Sequence, residues 1–238
     1  MNQQNPKNTL LINILGNSLA MPFYSHNINY EDTYSFILAH LLRKDNIVVN
    51  KARRNMTIVE QTSDTNIQDD ILSINAEYYI VQLGITDCAP RLFTRRQGKY
   101  LGLVPGHKFI IAFMSKHRYF FTKKFPKVYV KKDKFRERYC FLLETILGST
   151  KSEKIFVIKI PKPTDKIIKR SFGIEKNIKA YNLIIEEVTQ KFPNDVVLID
   201  LYEMTRTDSK LMSEDGIHIT KKAHQILANL ICQQIENQ

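Results

Sequence analysis

The chain has 238 residues, of which 43% are hydrophobic and 25% charged. That is enough apolar material for a full core in one large domain, and it excludes disorder as a description of the whole chain. The 35 Lys and Arg against 24 Asp and Glu leave a net charge of +11, which favours anionic partners but says nothing about fold. Three cysteines, Cys88, Cys140 and Cys232, are scattered and odd in number, and no Cys/His cluster has ligand spacing. Neither a disulfide framework nor a metal site is expected, and a reducing compartment is. No apolar run approaches the roughly 20 residues that span a bilayer. The first run, Thr9 to Leu15, is broken by Asn13 and lacks a basic flank, so no signal peptide is expected and a cytoplasmic location is.

Residues 1–8 are polar and expected to fray. Leu10 to Leu15 is short, branched and bounded by Gly16, the mark of a buried strand. Over 31–44, Tyr34, Ile37, Leu38, Leu41 and Leu42 recur at helical spacing, with acids at the start and bases at the end as the helix dipole prefers. Ile47 to Val49 is a second strand, 64–74 a short helix, and Tyr78 to Leu83 a third strand ending at Gly84. Residues 107–122 and 133–147 read as helices. Ile155 to Ile160 is a fourth strand stopped by Pro161, 174–191 an amphipathic helix, and Val196 to Leu201 a fifth strand. The last helix starts from Thr220 as N-cap, with His224 phased off its apolar stripe. Five apolar strands alternating with helices predict one three-layer α/β/α domain around a five-stranded parallel sheet, with no linker or repeat to divide residues 1–238.

In such a sheet, sites gather beyond the carboxyl ends of the strands. Three segments must reach that edge: Gly16-Asn17-Ser18-Leu19 after the first strand, Gly84-Ile85-Thr86-Asp87 after the third, and Ser213 to His218 after the fifth. They bring a hydroxyl, an imidazole and a carboxylate to one rim. A serine hydroxyl needs a base to take its proton, and the base needs a carboxylate to fix its tautomer. Asp215 and His218, three apart across a glycine, fit on one turn. Ser18, His218 and Asp215 are therefore the expected nucleophile, base and orienting acid, and backbone N–H groups near Ser18 are placed to steady an oxyanion.

The pattern resembles the SGNH (GDSL) hydrolases. Gly16-Asn17-Ser18-Leu19 is similar to the family's first block, usually G-D-S-L, with Asn17 for Asp; Asp215-Gly216-Ile217-His218 matches its last block, D-x-x-H. Gly84-Ile85-Thr86-Asp87 resembles the third block, G-x-N-D, with Thr86 for Asn. The second-block glycine is missing, and Asn55 is its nearest equivalent. The resemblance implies a flavodoxin-like SGNH fold, without cofactor or metal, and an oxyanion hole from Ser18, Asn55 and, in place of the family's Asn side chain, the Thr86 hydroxyl or a guanidinium from Arg54 or Arg91. Asn17 and Asp87, from the same blocks, are expected on the substrate side. The stretch GITDCAPR is also similar to members encoded among bacterial surface-polysaccharide genes.

Arg53, Arg54 and Arg91 fall just past strand ends, where guanidinium groups suit an acidic sugar or sugar phosphate. Residues 116–138 hold ten Lys and Arg against Asp133 and Glu137, interleaved with aromatics. We read 107–148 as a basic, aromatic-rich helical insert that covers substrate with its aromatics turned to the core. Peripheral contact with an anionic surface is the second reading. Nucleic acid is not expected, since no RNA-binding or P-loop signature is present. His26, His40, His107 and His117 have no partner pattern.

These readings predict a serine esterase that removes, or transfers, an O-acyl group, O-acetyl above all, on a saccharide. The competing reading is a catalytically weak or inactive binding protein of surface-polysaccharide assembly, kept open by the altered second and third blocks. The α/β-hydrolase class fits less well, because its nucleophile follows a later strand in G-x-S-x-G.

Overall fold

A computed structural model describes residues 9–237; the expected fraying of residues 1–8 lies outside them. The strands are β1 (Leu10–Gly16), β2 (Asn46–Asn50), β3 (Tyr78–Gln82), β4 (Lys154–Ile158) and β5 (Val196–Ile199). They form one all-parallel sheet in the order β2-β1-β3-β4-β5, the flavodoxin-like order. The helices in chain order are α1 (Tyr34–Leu41), α2 (Ile58–Gln61), α3 (Asp64–Ile67), α4 (Ile85–Cys88), α5 (Arg95–Leu101) and α6 (His107–Lys116). They continue with α7 (Arg118–Lys124), α8 (Lys132–Ser149), α9 (Asp165–Arg170), α10 (Ile174–Thr189), α11 (Leu201–Thr207) and α12 (Lys221–Glu236).

Strand side chains alternate between faces, and the two cores follow that period. Ile12, Ile14, Tyr78, Ile80, Phe156 and Ile158 face one layer, where α1 packs on α12. Leu15, Tyr79, Val81, Ile155 and Val157 face the other, where α8 packs on α10. Both faces of the central strands are thus covered, which is why these strands are continuously apolar rather than alternating.

Three differences from the sequence reading bear on function. The segment expected as an insert over 107–148 divides in two: α8 is a core helix that buries Phe135, Tyr139, Leu142, Leu143 and Ile146, whereas α6 buries no residue. The aromatics ahead of α8 largely face outward, with Phe109, Phe113, Tyr119, Phe120 and Phe125 exposed. Finally, the Ser213 loop does not follow β5 directly, because α11 and a 3-10 turn (Ser209–Leu211) intervene.

Candidate active site

β1 ends at Gly16 on the carboxyl edge of the sheet, and the chain turns at once into a 3-10 turn, Ser18–Ala20. Asn17 caps that turn: its side chain accepts a hydrogen bond from Leu19 N at 3.0 Å, and its own N–H donates to the Gln82 carbonyl at the end of β3. Ser18 is thereby held at the rim, half-buried, while Asn17 is wholly buried beneath it.

The partners arrive from the far end of the chain. An antiparallel bridge between Met212 and Ile219 closes a tight loop over 213–218, and Ser213 N donates to the His218 carbonyl at 2.8 Å. Inside it, Asp215 Oδ1 accepts from the backbone N–H groups of Ile217 (2.9 Å) and His218 (3.0 Å), and Ser213 Oγ lies 3.0 Å away. Gly216 has φ +78°, and a Cβ there would stand 2.2 Å from Thr164 Oγ1. Only glycine fits the corner that puts Asp215 and His218 on one turn.

Asp215 Oδ2 accepts from His218 Nδ1 at 2.5 Å, and Ser18 Oγ lies 3.0 Å from His218 Nε2. The carboxylate fixes the Nδ1–H tautomer and leaves Nε2 to accept the Ser18 hydroxyl proton. Burial works against ionisation of Asp215, but the hydrogen bonds from His218 and the two backbone N–H groups outweigh it and hold the carboxyl well below the usual range. The imidazole also lies against Phe23, with ring centroids 4.0 Å apart. His26, packed on Phe23 at 4.6 Å, brings its Nε2 to 3.9 Å from Asp215 Oδ2.

Asn55 has φ +60°, at the third position of a turn closed by Met56 N and the Arg53 carbonyl. This is the left-handed conformation that asparagine tolerates better than most residues. Arg95 Nη2 donates to the Asn55 carbonyl at 2.7 Å, and the same guanidinium pairs with Glu60. Thr86, in α4, is 5% exposed. Its carbonyl accepts from Arg91 Nη2 at 2.9 Å.

Other expected site residues go elsewhere. Asn17 presents no surface to a substrate, since its oxygen is spent on the turn. Asp87 is fully buried and accepts from Ile58 N at 2.8 Å; burial pushes its carboxyl up to about 7. Arg53 forms a bidentate pair with the wholly buried Asp70, at 2.6 and 2.7 Å, and so clamps the turn after β2 to the segment that follows α3. Arg54 stays on the rim, donating to the Pro22 carbonyl and lying 5.7 Å over Phe23. Arg91 lies 4.3 Å over Tyr129 and, with Asn55, Arg95, Lys99 and Arg118, lines a groove of about 590 Å³. That groove has no carboxylate in its lining. Burial depresses the guanidinium pKa of both Arg91 and Arg118, and for Arg118 the charges of Arg91 and Arg170 add to the effect.

Phe23, His26 and Arg95 are the residues that sequence reasoning missed. Phe23 and His26 reach His218 and Asp215 through a 3-10 turn (Tyr24–His26) and a bridge between Phe23 and Ile28, neither of which has a hydrophobic period. Arg95 opens α5 behind the N-cap Thr94, four residues past the arginine that the strand pattern pointed to. Among the described residues no group of three or more His, Cys, Asp or Glu is placed to hold a metal ion.

The five-stranded all-parallel α/β/α sheet is the SGNH-hydrolase fold that the sequence resemblance implied. No protein-family model and no curated protein sequence matches the chain. Solved structures of similar fold include a lipase/acylhydrolase from Enterococcus faecalis, with TM-score 0.66 and 14% identity over 96% of each chain. An acetylxylan esterase from Geobacillus stearothermophilus has TM-score 0.63 and 12% identity over 97% of this chain and 96% of that one. A further acetyl xylan esterase has TM-score 0.64 and 14% identity over 95% and 100%. These likenesses establish the fold across nearly the whole chain.

Proposed function

We propose that the protein is a serine esterase acting on an O-acylated, anionic saccharide, with O-acetyl as the leading acyl group. The observation that carries the reading is the unbroken path from Ser18 Oγ through His218 to Asp215, at 3.0 and 2.5 Å. As Ser18 Oγ attacks the ester carbonyl, His218 Nε2 takes its proton and Asp215 stabilises the imidazolium. The Ser18 N–H, the Asn55 N–H and the Thr86 hydroxyl are the proposed oxyanion donors; none has another hydrogen-bond partner among the described residues. His218 then returns the proton to the departing sugar alkoxide. Water releases the acyl group by the reverse sequence, and a second sugar hydroxyl in place of water gives transfer.

The saccharide O-acetyl assignment is supported by the two acetylxylan esterases of like fold, one of which has a serine-to-alanine variant described as catalytic. The anionic preference is supported by the groove beside Asn55, where neither Arg91 nor Arg118 forms an ion pair with a carboxylate among the described residues. Acetate release from a panel of acetylated sugars tests the reading. Acidic members are expected to give higher kcat/KM than neutral ones, and Arg118→Gln is expected to narrow the gap. No release from any member, or equal rates at low salt, counts against the substrate. A folded protein that binds such sugars without turnover is the binding-protein alternative.

A further inference from the structure

Between Asp87 and Asp133 the sequence has twelve Lys and Arg and no Asp or Glu, so this stretch carries the whole of the chain's excess positive charge. The same stretch forms α5, α6 and α7 and presents an unusual amount of bare apolar surface. Leu103 is 81% exposed and Phe109 83%, with Tyr100, Phe113 and Phe120 each more than half exposed. α6 faces solvent without burying a single side chain. Hydrocarbon of this kind normally finds a partner, and here no part of the described chain covers it.

We infer that the α5–α7 excursion is a peripheral docking surface for an anionic lipid bilayer, with Leu103 and Phe109 entering the interface. Charge decides the occupant. A second copy meeting through the same face would set the Lys and Arg side chains of α5–α7 against their own counterparts, with no acid in either segment to offset them. A nucleic acid would satisfy the charge and stack on the rings, but it has no use for exposed Leu103, Ile110 and Ile111. Anionic lipid satisfies both: phosphate headgroups meet Lys108, Lys123 and Lys124, the last lying over the rings of Phe120 and Phe125, and acyl chains take the aliphatic and aromatic side chains. A helix of ten residues reaches only about half-way across a bilayer core of ~30 Å, so the contact lies in the interface rather than through it. The excursion also supplies Lys99, Ile111, Ser115 and Arg118 to the groove beside Asn55. Docking therefore brings that groove close to the headgroup layer, where an acylated saccharide attached to a lipid would be met. The inference does not depend on the serine chemistry.

The test is co-flotation of the whole protein with vesicles of phosphatidylcholine alone or with about a third phosphatidylglycerol. Binding is expected only to the anionic vesicles, weakening as salt rises. The double variant Leu103→Asp/Phe109→Asp should cut binding about tenfold or more, yet hydrolyse a water-soluble short ester at the wild-type rate. Lys123→Gln/Lys124→Gln, which leaves the apolar residues in place, should weaken binding and flatten its salt dependence. Ser18→Ala should bind like wild type, so an inactive protein that still floats separates failure of the esterase reading from failure of this one. Absence of flotation overturns the inference, as does equal flotation of the Asp double variant. Dimers dissolved by that variant without vesicle binding would assign the surface to a second copy, and retention of an oligonucleotide in place of vesicles would assign it to nucleic acid.

Discussion

Phe23 lies flat against His218, their ring centroids 4.0 Å apart and their planes 30° apart. The imidazole is thus fixed from three sides: Asp215 behind it, Ser18 in front, and an aromatic face across the ring. Contacts of this sort do not touch the reacting atoms, but they remove rotamers in which Nε2 points away from Ser18.

Phe23→Ala is accordingly expected to lower kcat about tenfold or more with little change in KM. Phe23→Tyr should restore most of the rate, since it retains the stacking face. An equal rise in KM without loss of kcat would place Phe23 in substrate binding instead.

Gly216 governs the same imidazole through the backbone. Gly216→Ala must accept φ +78° and a contact of 2.2 Å with Thr164 Oγ1. The conformational cost alone is about 1–2 kcal/mol, so a melting temperature several degrees lower and a large loss of activity are expected. Adding Thr164→Ala should recover part of the stability by removing the hydroxyl. No recovery would assign the cost to the positive φ and to Ile167 Cγ1, which the same Cβ would meet at 2.7 Å.

The proposed oxyanion donors are separable by chemistry. Asn55→Gly should retain activity, because glycine adopts φ +60° freely. Asn55→Val should lose it, because a β-branched residue resists that conformation. Thr86→Ala should cost roughly 10²-fold in kcat if its hydroxyl serves the oxyanion, and Thr86→Ser should keep most of the rate. Steady-state kinetics on one short ester reads all four.

Two buried groups set opposing pH dependences of stability. His224 accepts from Tyr34 N at 3.2 Å, and burial pushes its imidazole down to about 4 from 6.5. Its contribution is full above pH 6.5 and is lost as pH falls towards 4, since the unfolded chain takes up the proton first. Asp87 is pushed up to about 7 from 3.8, so its contribution is full below pH 3.8 and is lost as pH rises through 7. From pH 6.5 down to 4 the two offset one another. The melting temperature of Asp87→Asn should therefore fall as pH drops through this range, whereas that of His224→Asn should rise. Parallel profiles for the two variants would contradict the assignment.

The strands were legible in the sequence because buried parallel strands are short branched runs with glycine or proline at their ends. The contacts between Ser18, His218 and Asp215 were legible because Ser18 directly follows β1, and Asp215 and His218 share one turn across Gly216. What the sequence hid depends on burial that no local period encodes. Arg53 reads as a rim arginine until Asp70, carried by a single π turn (Gln68–Leu72), is seen to need a cation. Asn17 and Asp87 sit in functional-looking blocks but are spent on Leu19 N and Ile58 N. His224 lies off the main stripe of α12, yet α1 crosses there and Tyr34 closes over it. α8 shares the basic composition of the excursion before it, and only its packing on α10 separates the two.

The central claim is that Ser18 is a nucleophile activated by His218 and Asp215, and it is tested most directly by reaction with a fluorophosphonate followed by peptide mass spectrometry. The expected result is one phosphonyl group per chain, on the peptide that contains Ser18, absent from Ser18→Ala and greatly slowed in His218→Ala. Folded wild-type protein that takes up no label, or labelling undiminished in Ser18→Ala, would contradict the claim.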